Sequence, residues 1–499
     1  MNFMETKLCI PIVGNTLKEI QQQINKAESK SDIIEIRADY LNKINRAKIS
    51  EIRQLTEVPL IFTCRPEYEH GNYQGSSSKR KELLRKAVES EYDYVDVEFG
   101  SKFYKEIIQE SAGNSKIILS KHNFETTPSR TELRDLKEKM ENTGTDIIKL
   151  ITTAESILDN FKIFKLLQKQ QDREKKLISF CMGGKGEISR ILAAKFGSFI
   201  TFAALDEEKL SAPGQIKVDE MSRTYNISKV NKETNITGVV GKYAENSKSK
   251  YLHNPVFNQI GLNYIYLPFK VDQGQELKEF VSKVRNHDFK GLAVTIPHKE
   301  KIIEYVDKVD ETGREIGAIN TVSKQGGQLV GTNTDYVGAI NALEKKLELR
   351  GKNCLVLGAG GAARAIVYGL VNNEVNVTIV NRTEQRAKDL GNEFSCEIDD
   401  YEKREELAPE FDIIINTTSV GMYPDQDQSI LHNFPENGVA MDVVYKPLET
   451  KFIRMAKDQG CQVVTGEKML VYQAMEQFEI WTGKRPQFET MHEAFFNIP

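Results

Sequence analysis

Short apolar runs alternate with helix-periodic stretches along most of the chain. In the first half the runs fall at Leu8–Val13, Ile33–Ile36, Pro59–Cys64, Tyr92–Phe99, Lys116–Leu119, Asp146–Ile151, Lys176–Cys181 and Ser198–Ala204. Many are rich in β-branched residues and nearly continuous in hydrophobicity, the pattern of parallel strands covered on both faces. Between them Thr16–Ala27, Arg80–Val88, Thr131–Met140, Ala154–Lys169 and Gly186–Lys195 repeat apolar residues every three or four positions, which marks one face of a helix. Eight strand–helix units before residue 210 predict a closed (β/α)8 barrel. Periodicity alone also fits an open doubly wound sheet.

The polar stretch Lys229–Asn235 reads as a connector, and the pattern then restarts. Strands are predicted at Ile236–Gly241, Asn263–Phe269, Gly291–Pro297, Ile319–Ser323 and Gln328–Thr332, with helices at Glu276–Arg285 and Lys299–Val306. Gly326–Gly327 reads as a hairpin turn. After a helix at Asp335–Leu347, a third block begins with a strand at Lys352–Gly358 that runs into a glycine-rich turn. It continues as Val375–Asn381, Phe411–Asn416, Gly438–Val444 and Cys461–Val464, and an amphipathic helix, Leu470–Thr482, follows.

Composition removes whole classes of function. Lys+Arg 68 against Asp+Glu 72 leaves a net charge of −4, without the broad basic field that nucleic acid requires. A mean hydropathy of −0.45 and the lack of a long uncharged apolar run argue against a membrane span. Cys9, Cys64, Cys181, Cys354, Cys396 and Cys461 lie far apart with no CxxC pair, so they read as small core residues in a reducing compartment, with neither a disulfide frame nor a metal site. No signal-peptide core or Arg/Ser-rich leader precedes Leu8, which points to the cytoplasm.

In a parallel barrel the reactive side chains sit at the C-terminal strand ends. Polar residues collect there: Glu35 and Arg37, Arg65, Glu98, His122 and Lys149 near successive strand ends, then Arg190, Ser211 and Gln215 in later loops. Lys149, between Ile148 and Leu150, is costly to bury as an ammonium, and burial favours the neutral amine. Such an amine attacks a ketone to form an imine. A snorkelling or carboxylate-paired lysine is the plainer alternative. His122, one strand earlier, is placed to act as base on the adjacent C–H, with Glu98 to orient it. Arg65 and Arg190 offer forks for a substrate carboxylate.

In the second half, Gly358–Ala365 (GAGGAARA) lies between a strand and a helix, as a diphosphate cradle does. The position 20 residues past Gly361 is Asn381, followed by Arg382, where NAD-preferring sites place Asp or Glu. A guanidinium there suits a 2′-phosphate, so the cofactor reads as NADP(H). Lys299 (in TIPHK), read in the first turn of a helix, and Asp335 (in NTD) stand out; a solvated helix lysine is the plainer reading of Lys299, but Asn320 and Asn333 suggest a polar cleft instead.

EIRAD, TCRP, YVDVEF, SKHNF, DIIKLITTA, GEISR and SAPGQ, in that order, resemble type I 3-dehydroquinate dehydratases over about residues 7–225. The resemblance implies Lys149 as the imine-forming lysine, His122 as base and acid, and Glu98 as its orienting partner. It implies that Glu35, Arg37, Arg65, Arg190, Ser211 and Gln215 hold the substrate. NSKS, TIPHK, GAINT, NTD, GAGGAARA, NRT, NTTSVGM and LVYQ resemble shikimate dehydrogenases over about residues 236–496. That implies Lys299 and Asp335 as the catalytic pair and Ser247, Ser249, Thr295, Asn320, Tyr445 and Gln473 around the substrate. Gly358, Ala359, Gly360, Gly361, Ala362, Asn381, Arg382, Thr383, Arg386 and Gly466 would bind NADP(H). Lys250 follows Ser249 where the family often has proline.

Together the two resemblances imply a barrel over 1–228, a substrate-binding domain over 236–335 completed by helices from 470–499, and a Rossmann domain over 336–469. They imply small-molecule partners, 3-dehydroquinate and 3-dehydroshikimate or shikimate. Two other functions fit the same motifs: a quinate dehydrogenase in the second half, and a non-catalytic sensor of quinate or shikimate.

Overall fold

A computed structural model describes residues 6–111, 113–170, 175–206 and 213–497. The apolar runs of the first half form β1 (Lys7–Ile12), β2 (Ile33–Arg37), β3 (Leu60–Thr63), β4 (Tyr94–Glu98), β5 (Lys116–His122), β6 (Ile147–Thr153), β7 (Lys176–Met182) and β8 (Ile200–Phe202). They lie in the order β7-β6-β5-β4-β3-β2-β1-β8 and pair in parallel. The sheet curls into a nearly closed barrel whose seam lies between β7 and β8. There Phe199 N donates to Leu177 O at 2.8 Å.

A strand's period of two makes alternate residues face the barrel interior. The inward set is apolar at the strand starts, where Ile33, Ile61, Ile118, Ile147, Ile178 and Ile200 pack together. One step further along, the same faces carry Glu35, Thr63, Ser120 and Lys149. Helices cover the outside, among them Leu17–Ala27, Ser77–Glu89, Arg130–Glu141 and Asp159–Gln168. Arg46–Arg53 and Tyr104–Glu110 are helices that the periodicity does not reveal. They bury only Ile49 and Ile52, and Ile107, respectively, too few positions to trace a stripe.

By packing, Met1–Thr234 with Phe269–Val271 make one compact unit, and Asn235–Pro268 with Asp272–Pro499 the other. The second unit contains two sheets. The first joins β9 (Asn235–Gly241), β10 (Tyr264–Lys270), β11 (Gly291–Val294), β12 (Lys308–Val309), β13 (Thr321–Gln325) and β14 (Gln328–Thr332) in the order β10-β9-β11-β13-β14-β12. β13 and β14 form a hairpin through Gly326 and Gly327, both at positive φ. The second sheet joins β15 (Asn353–Leu357), β16 (Asn376–Val380), β17 (Glu397–Ile398), β18 (Ile413–Asn416), β19 (Val439–Asp442) and β20 (Gln462–Val464) in the parallel order β17-β16-β15-β18-β19-β20. The winding reverses between β15 and β18, where doubly wound sheets open a ligand crevice.

Two helices connect these sheets. Asp335–Glu344 lies against Gly466–Thr482, and a Cβ on Gly338 would meet Met469 O at 2.6 Å, so glycine is what permits the contact. At its far end Gly466–Thr482 reaches the first sheet, where Trp481 Nε1 donates to Val322 O at 3.1 Å. The helix buries residues on most of its sides and is therefore less amphipathic than expected. Ser249–Gln259 and Phe488–Phe496 pack on it around Leu252, Phe257, Phe478 and Met491.

The predicted helix at Lys299–Val306 needs correction. Only Lys301–Tyr305 is helical, as a 3-10 turn, and Lys299 precedes it. Its carbonyl accepts from Ile319 N at 2.8 Å, so it is tied to the strand side instead of starting a helical ladder.

Candidate active sites

The barrel mouth collects polar side chains from six strands or their loops. Glu35, Arg37, Arg65, His122, Lys149, Arg190 and Gln215 line one cavity, together with Glu69, His70, Phe124, Phe180 and Phe202. Register explains the neighbours: Glu98, Ser120 and Lys149 stand side by side across β4, β5 and β6. His122 lies one inward step beyond Ser120, at the rim. Ser211 falls outside the described residues.

Lys149 is 5% exposed, with Nζ 3.1 Å from Asp96 Oδ2, 3.5 Å from Glu35 Oε1 and 4.7 Å from the Phe202 ring centre. Asp96 in turn accepts from Ser120 Oγ at 2.7 Å and pairs with Arg65 Nη2 at 2.9 Å. Burial would raise its pKa, but Arg65, Lys149, His122 and the Ser120 hydrogen bond hold it well below the carboxylate range. Glu35 accepts from Thr63 Oγ1 at 2.7 Å.

His122 Nδ1 lies 2.8 Å from Glu69 Oε2. A carboxylate only accepts, so Nδ1 carries the proton and Nε2 is left as the basic nitrogen. Burial and the nearby Arg65 push this imidazole's pKa down to about 4, against the upward pull of Glu69. The ring is thus neutral near pH 7. The expected partner, Glu98, is elsewhere: it accepts from Arg65 Nη1 at 3.0 Å and from Arg80 Nη1 at 2.5 Å, fully buried. Glu98 points between two guanidinium groups beneath the rim, whereas the turn after β3 brings Glu69 over it. Glu69 was missed because Glu67-Tyr68-Glu69 reads as a solvated acidic loop. Asp96 was within reach of the sequence, since it shares Glu98's strand face two residues earlier. Arg80 was not, because a helix arginine gives no sign of turning inward.

Arg37 is committed to Asp39 through Nε (2.9 Å) and Nη2 (2.7 Å). Arg190 is different. It is 1% exposed and stacks over Phe180 at 4.2 Å, and among the described residues its Nε has no hydrogen-bond partner. Burial lowers its pKa to about 10. A buried guanidinium with an unused donor is a receptor for an anion.

In the second unit Lys299 Nζ donates to Asp335 Oδ2 at 2.5 Å. Asn320 Nδ2 donates to Asp335 Oδ1 (2.7 Å), Thr334 Oγ1 (3.0 Å) and Gln473 Oε1 (3.4 Å), so the residue just before β13 ties both connecting helices to the pair. Asp335 N receives support from Asn333 Oδ1 at 3.0 Å. Ser247 Oγ donates to Ser249 Oγ at 3.1 Å. Thr295 sits four residues before Lys299 on the same loop, with its N–H on Val240 O at 3.0 Å, and Gly241 makes room for its methyl group. Tyr445 packs against the cluster around Val471 and Ala474. Thr334 and Gln477, which donates to Thr321 Oγ1 at 3.0 Å, belong to this polar network and were not foreseen.

β15 ends at the glycine-rich turn, where Gly358 has φ 116° and its absent side chain leaves space for Thr417. Gly360 and Gly361 open the helix Gly361–Asn372, and a Cβ on either would meet nothing, so the cradle above them is open. That helix has no acidic residue in its first turn. Leu357 pairs with Val380, which sets Asn381, Arg382 and Thr383 beside the cradle. Asn381 Nδ2 donates to Thr383 O at 2.8 Å, while Arg382 and Arg386 are exposed. Open backbone donors with guanidinium groups alongside fit a dinucleotide bearing an extra phosphate. Gly466 abuts the carbonyls of Val443 and Val444, where a Cβ would come within 2.7 Å.

Comparison with known proteins follows the same division. The family model for type I 3-dehydroquinase matches residues 8–232. The shikimate dehydrogenase substrate binding domain matches 239–322, shikimate/quinate 5-dehydrogenase 341–431, and the shikimate 5′-dehydrogenase C-terminal domain 466–494. A chloroplastic bifunctional 3-dehydroquinate dehydratase/shikimate dehydrogenase of Arabidopsis thaliana is 36% identical over 504 residues, covering 95% of this chain and 82% of that protein. A shikimate dehydrogenase (NADP(+)) of Methanococcus aeolicus is 39% identical over 278 residues, covering 54% of this chain and 99% of that protein. A solved shikimate dehydrogenase in complex with NADP+ superposes with a TM-score of 0.51 at 36% identity, over 54% of this chain and 96% of its own.

Proposed function

The chain belongs to the family of bifunctional 3-dehydroquinate dehydratase/shikimate dehydrogenases, and from that premise we propose how its residues carry two consecutive reactions. The first half is a lyase that takes water from 3-dehydroquinate to give 3-dehydroshikimate. The second is an NADP-dependent oxidoreductase that reduces 3-dehydroshikimate to shikimate.

In the first reaction Lys149 Nζ, as the free amine, attacks the ketone carbon, and the carbonyl oxygen leaves as water to give an imine. Glu35 is the acceptor for the ammonium proton, since Arg65 and Ser120 keep Asp96 as a carboxylate. His122 Nε2 removes the proton on the carbon next to the imine while Glu35 returns its proton to the imine nitrogen, so the electron pair moves into a neutral enamine. The enamine then expels the hydroxyl group, which takes the proton back from His122 and departs as water. A further water hydrolyses the product imine and restores Lys149. Arg190 holds the substrate carboxylate, and Gln215, Arg37 and Glu35 face its hydroxyls. The observation that carries this reading is a buried lysine sharing a cavity with an imidazole whose Nδ1–H is engaged by Glu69.

In the second reaction Lys299 donates a proton to the developing alkoxide while Asp335, oriented by Asn320, holds the ammonium in place. Ser247, Ser249, Thr295, Tyr445 and Gln473 face the substrate's carboxylate and hydroxyls. NADPH, when bound, supplies the hydride. The turn Gly358–Ala362 takes its diphosphate, and Arg382 and Arg386, with Asn381 and Thr383, take the 2′-phosphate.

No described helix is long and apolar enough to cross a membrane, and the described cysteines are free thiols. We place the protein in the cytoplasm, where such thiols stay reduced; fractionation of its source cells tests this.

Activity assays on separated functions test the whole reading. The purified chain with 3-dehydroquinate and NADPH should form shikimate. Lys149→Met should lose dehydration by about 10³-fold or more yet keep reduction of added 3-dehydroshikimate, and Lys299→Met should do the reverse by about 10²-fold or more. A Lys149→Met protein that still dehydrates at the original rate would overturn the first assignment.

A further inference from the structure

His70 stands out at the dehydratase mouth because its backbone lies at φ 55°, ψ 31°, in the left-handed region that side chains other than glycine seldom adopt. The turn that imposes this is tightly made. Residues Glu67–Glu69 form one 3-10 turn, His70 N donates to Glu67 O at 2.9 Å, and Gly71 N returns to Pro66 O at 3.0 Å. Strain of this kind persists where the surroundings hold it, and it concentrates at functional sites. Here the exposed imidazole lines the cavity and lies 4.0 Å, ring centre to centre, from Phe124. Phe124 in turn stacks on His122 at 5.7 Å and 21°. His70, Phe124 and His122 thus form a short column of rings, and the residue just before His70 is the carboxylate that holds His122.

We propose that His70 is a positioning residue of the dehydratase site: its ring fastens the turn carrying Glu69 to the loop carrying Phe124, so that His122 stays oriented and shielded from water. The inference rests on the imine reading above and deepens it. No hydrogen-bond chemistry at the His70 nitrogens is required; the ring face does the positioning. The charged groups that face His122 are Glu69 from the turn, Arg65 at the end of β3, Asp96 on β4 and Lys149 on β6, with Lys121 beside it also bound to Glu69. None of these charges is removed when His70 is replaced, so a change in His122 titration reports solvent access and orientation.

The test compares His70→Gly, which suits the backbone and removes the ring, with His70→Phe, which keeps the ring. Burial is the main cause of the depressed His122 pKa. Wetting the ring therefore raises it, and the acid limb of dehydratase kcat/KM in His70→Gly should move to higher pH, with kcat/KM at pH 7 down about tenfold. His70→Phe should keep the original limb and stay within about twofold. A His70→Gly enzyme with unchanged kcat/KM and an unchanged limb would overturn the inference, as would equal impairment of both variants, which would assign the effect to the imidazole nitrogens. Borohydride trapping of 3-dehydroquinate on the unsubstituted enzyme runs alongside. Loss of trapping there would remove the imine reading and this inference with it, whereas trapping with indifferent variants removes the inference alone.

Discussion

The role proposed for His122, that of a base, follows from its neighbours. Burial and Arg65 keep it neutral, and Glu69 fixes the proton on Nδ1. Glu69→Gln removes a contact that raises the imidazole pKa, so the acid limb of the dehydratase profile should shift to lower pH while kcat falls by about 10²-fold. Glu98→Gln, separated from His122 by Arg65, should move the limb far less and act through Arg65 and Arg80. Measured pH–rate profiles of the two variants distinguish the carboxylates. The chain pattern made Glu98 the natural choice, since it ends a strand beside Ser120. Glu69 follows a short irregular turn, and no periodicity predicts where such a turn aims its side chains. The placement of Lys149 and His122 was legible because both lie on inward faces of barrel strands, and that of Asp335 because it opens a helix, whereas Lys299 was marked by the TIPHK motif and sits in a loop. For the cofactor, Arg382→Ala should raise KM for NADPH about tenfold or more with little effect on NADH. Steady-state kinetics with both cofactors read this directly.

At the scale of elements, most strands could be read because parallel strands buried on both faces are almost continuous apolar runs. The same period of two that hides Ile147 and Ile151 in the barrel also aims Lys149 inward, so one rule gave both the core and the chemistry. Elements with few buried positions escaped notice: Arg46–Arg53 and Tyr104–Glu110 in the barrel, and β12 and β17, which have two residues each. Lys299 was assigned to a helix because a proline-led, charged stretch imitates a helix start, whereas its carbonyl is taken by Ile319. The contact between Asp335–Glu344 and Gly466–Thr482 is a sharper test. Any Cβ at Gly338 collides with the carbonyl of Met469, so Gly338→Val must push apart the two helices that hold Asp335 and Gln473. We expect a loss of about 2–3 kcal/mol in the second unit. Dehydrogenase kcat should fall more than KM for NADPH rises. Chemical denaturation with parallel kinetics checks both.

At the scale of the whole molecule, burial lowers the pKa of His253 and His122 far enough to keep both neutral. His253 is fully buried among Tyr266, Phe257, Phe478 and Trp481, with neither ring nitrogen hydrogen-bonded among the described residues, and burial lowers its pKa to about 3. His122 is lowered to about 4. Both ordinarily titrate near 6.5, so the unfolded chain binds more protons between those values and stability falls as pH drops. Each group contributes a slope of up to about 1.4 kcal/mol per pH unit. Asp442 opposes this: burial raises it to about 6, so it gains a proton first in the folded state and adds stability between about pH 6 and 4. His253→Phe keeps an aromatic ring in the cluster and removes a titrating group. Its thermal midpoint should decline less than the parent's between pH 6.5 and 4, and equal declines would show that His253 does not set the acid limit.

The account depends most on covalent capture of a ketone by Lys149. Incubation with 3-dehydroquinate, reduction by borohydride and peptide mass mapping test that directly. A single reduced adduct on the peptide containing Lys149, absent from Lys149→Met, is the predicted result. An adduct on another lysine, or none from an enzyme that still dehydrates its substrate, would contradict it.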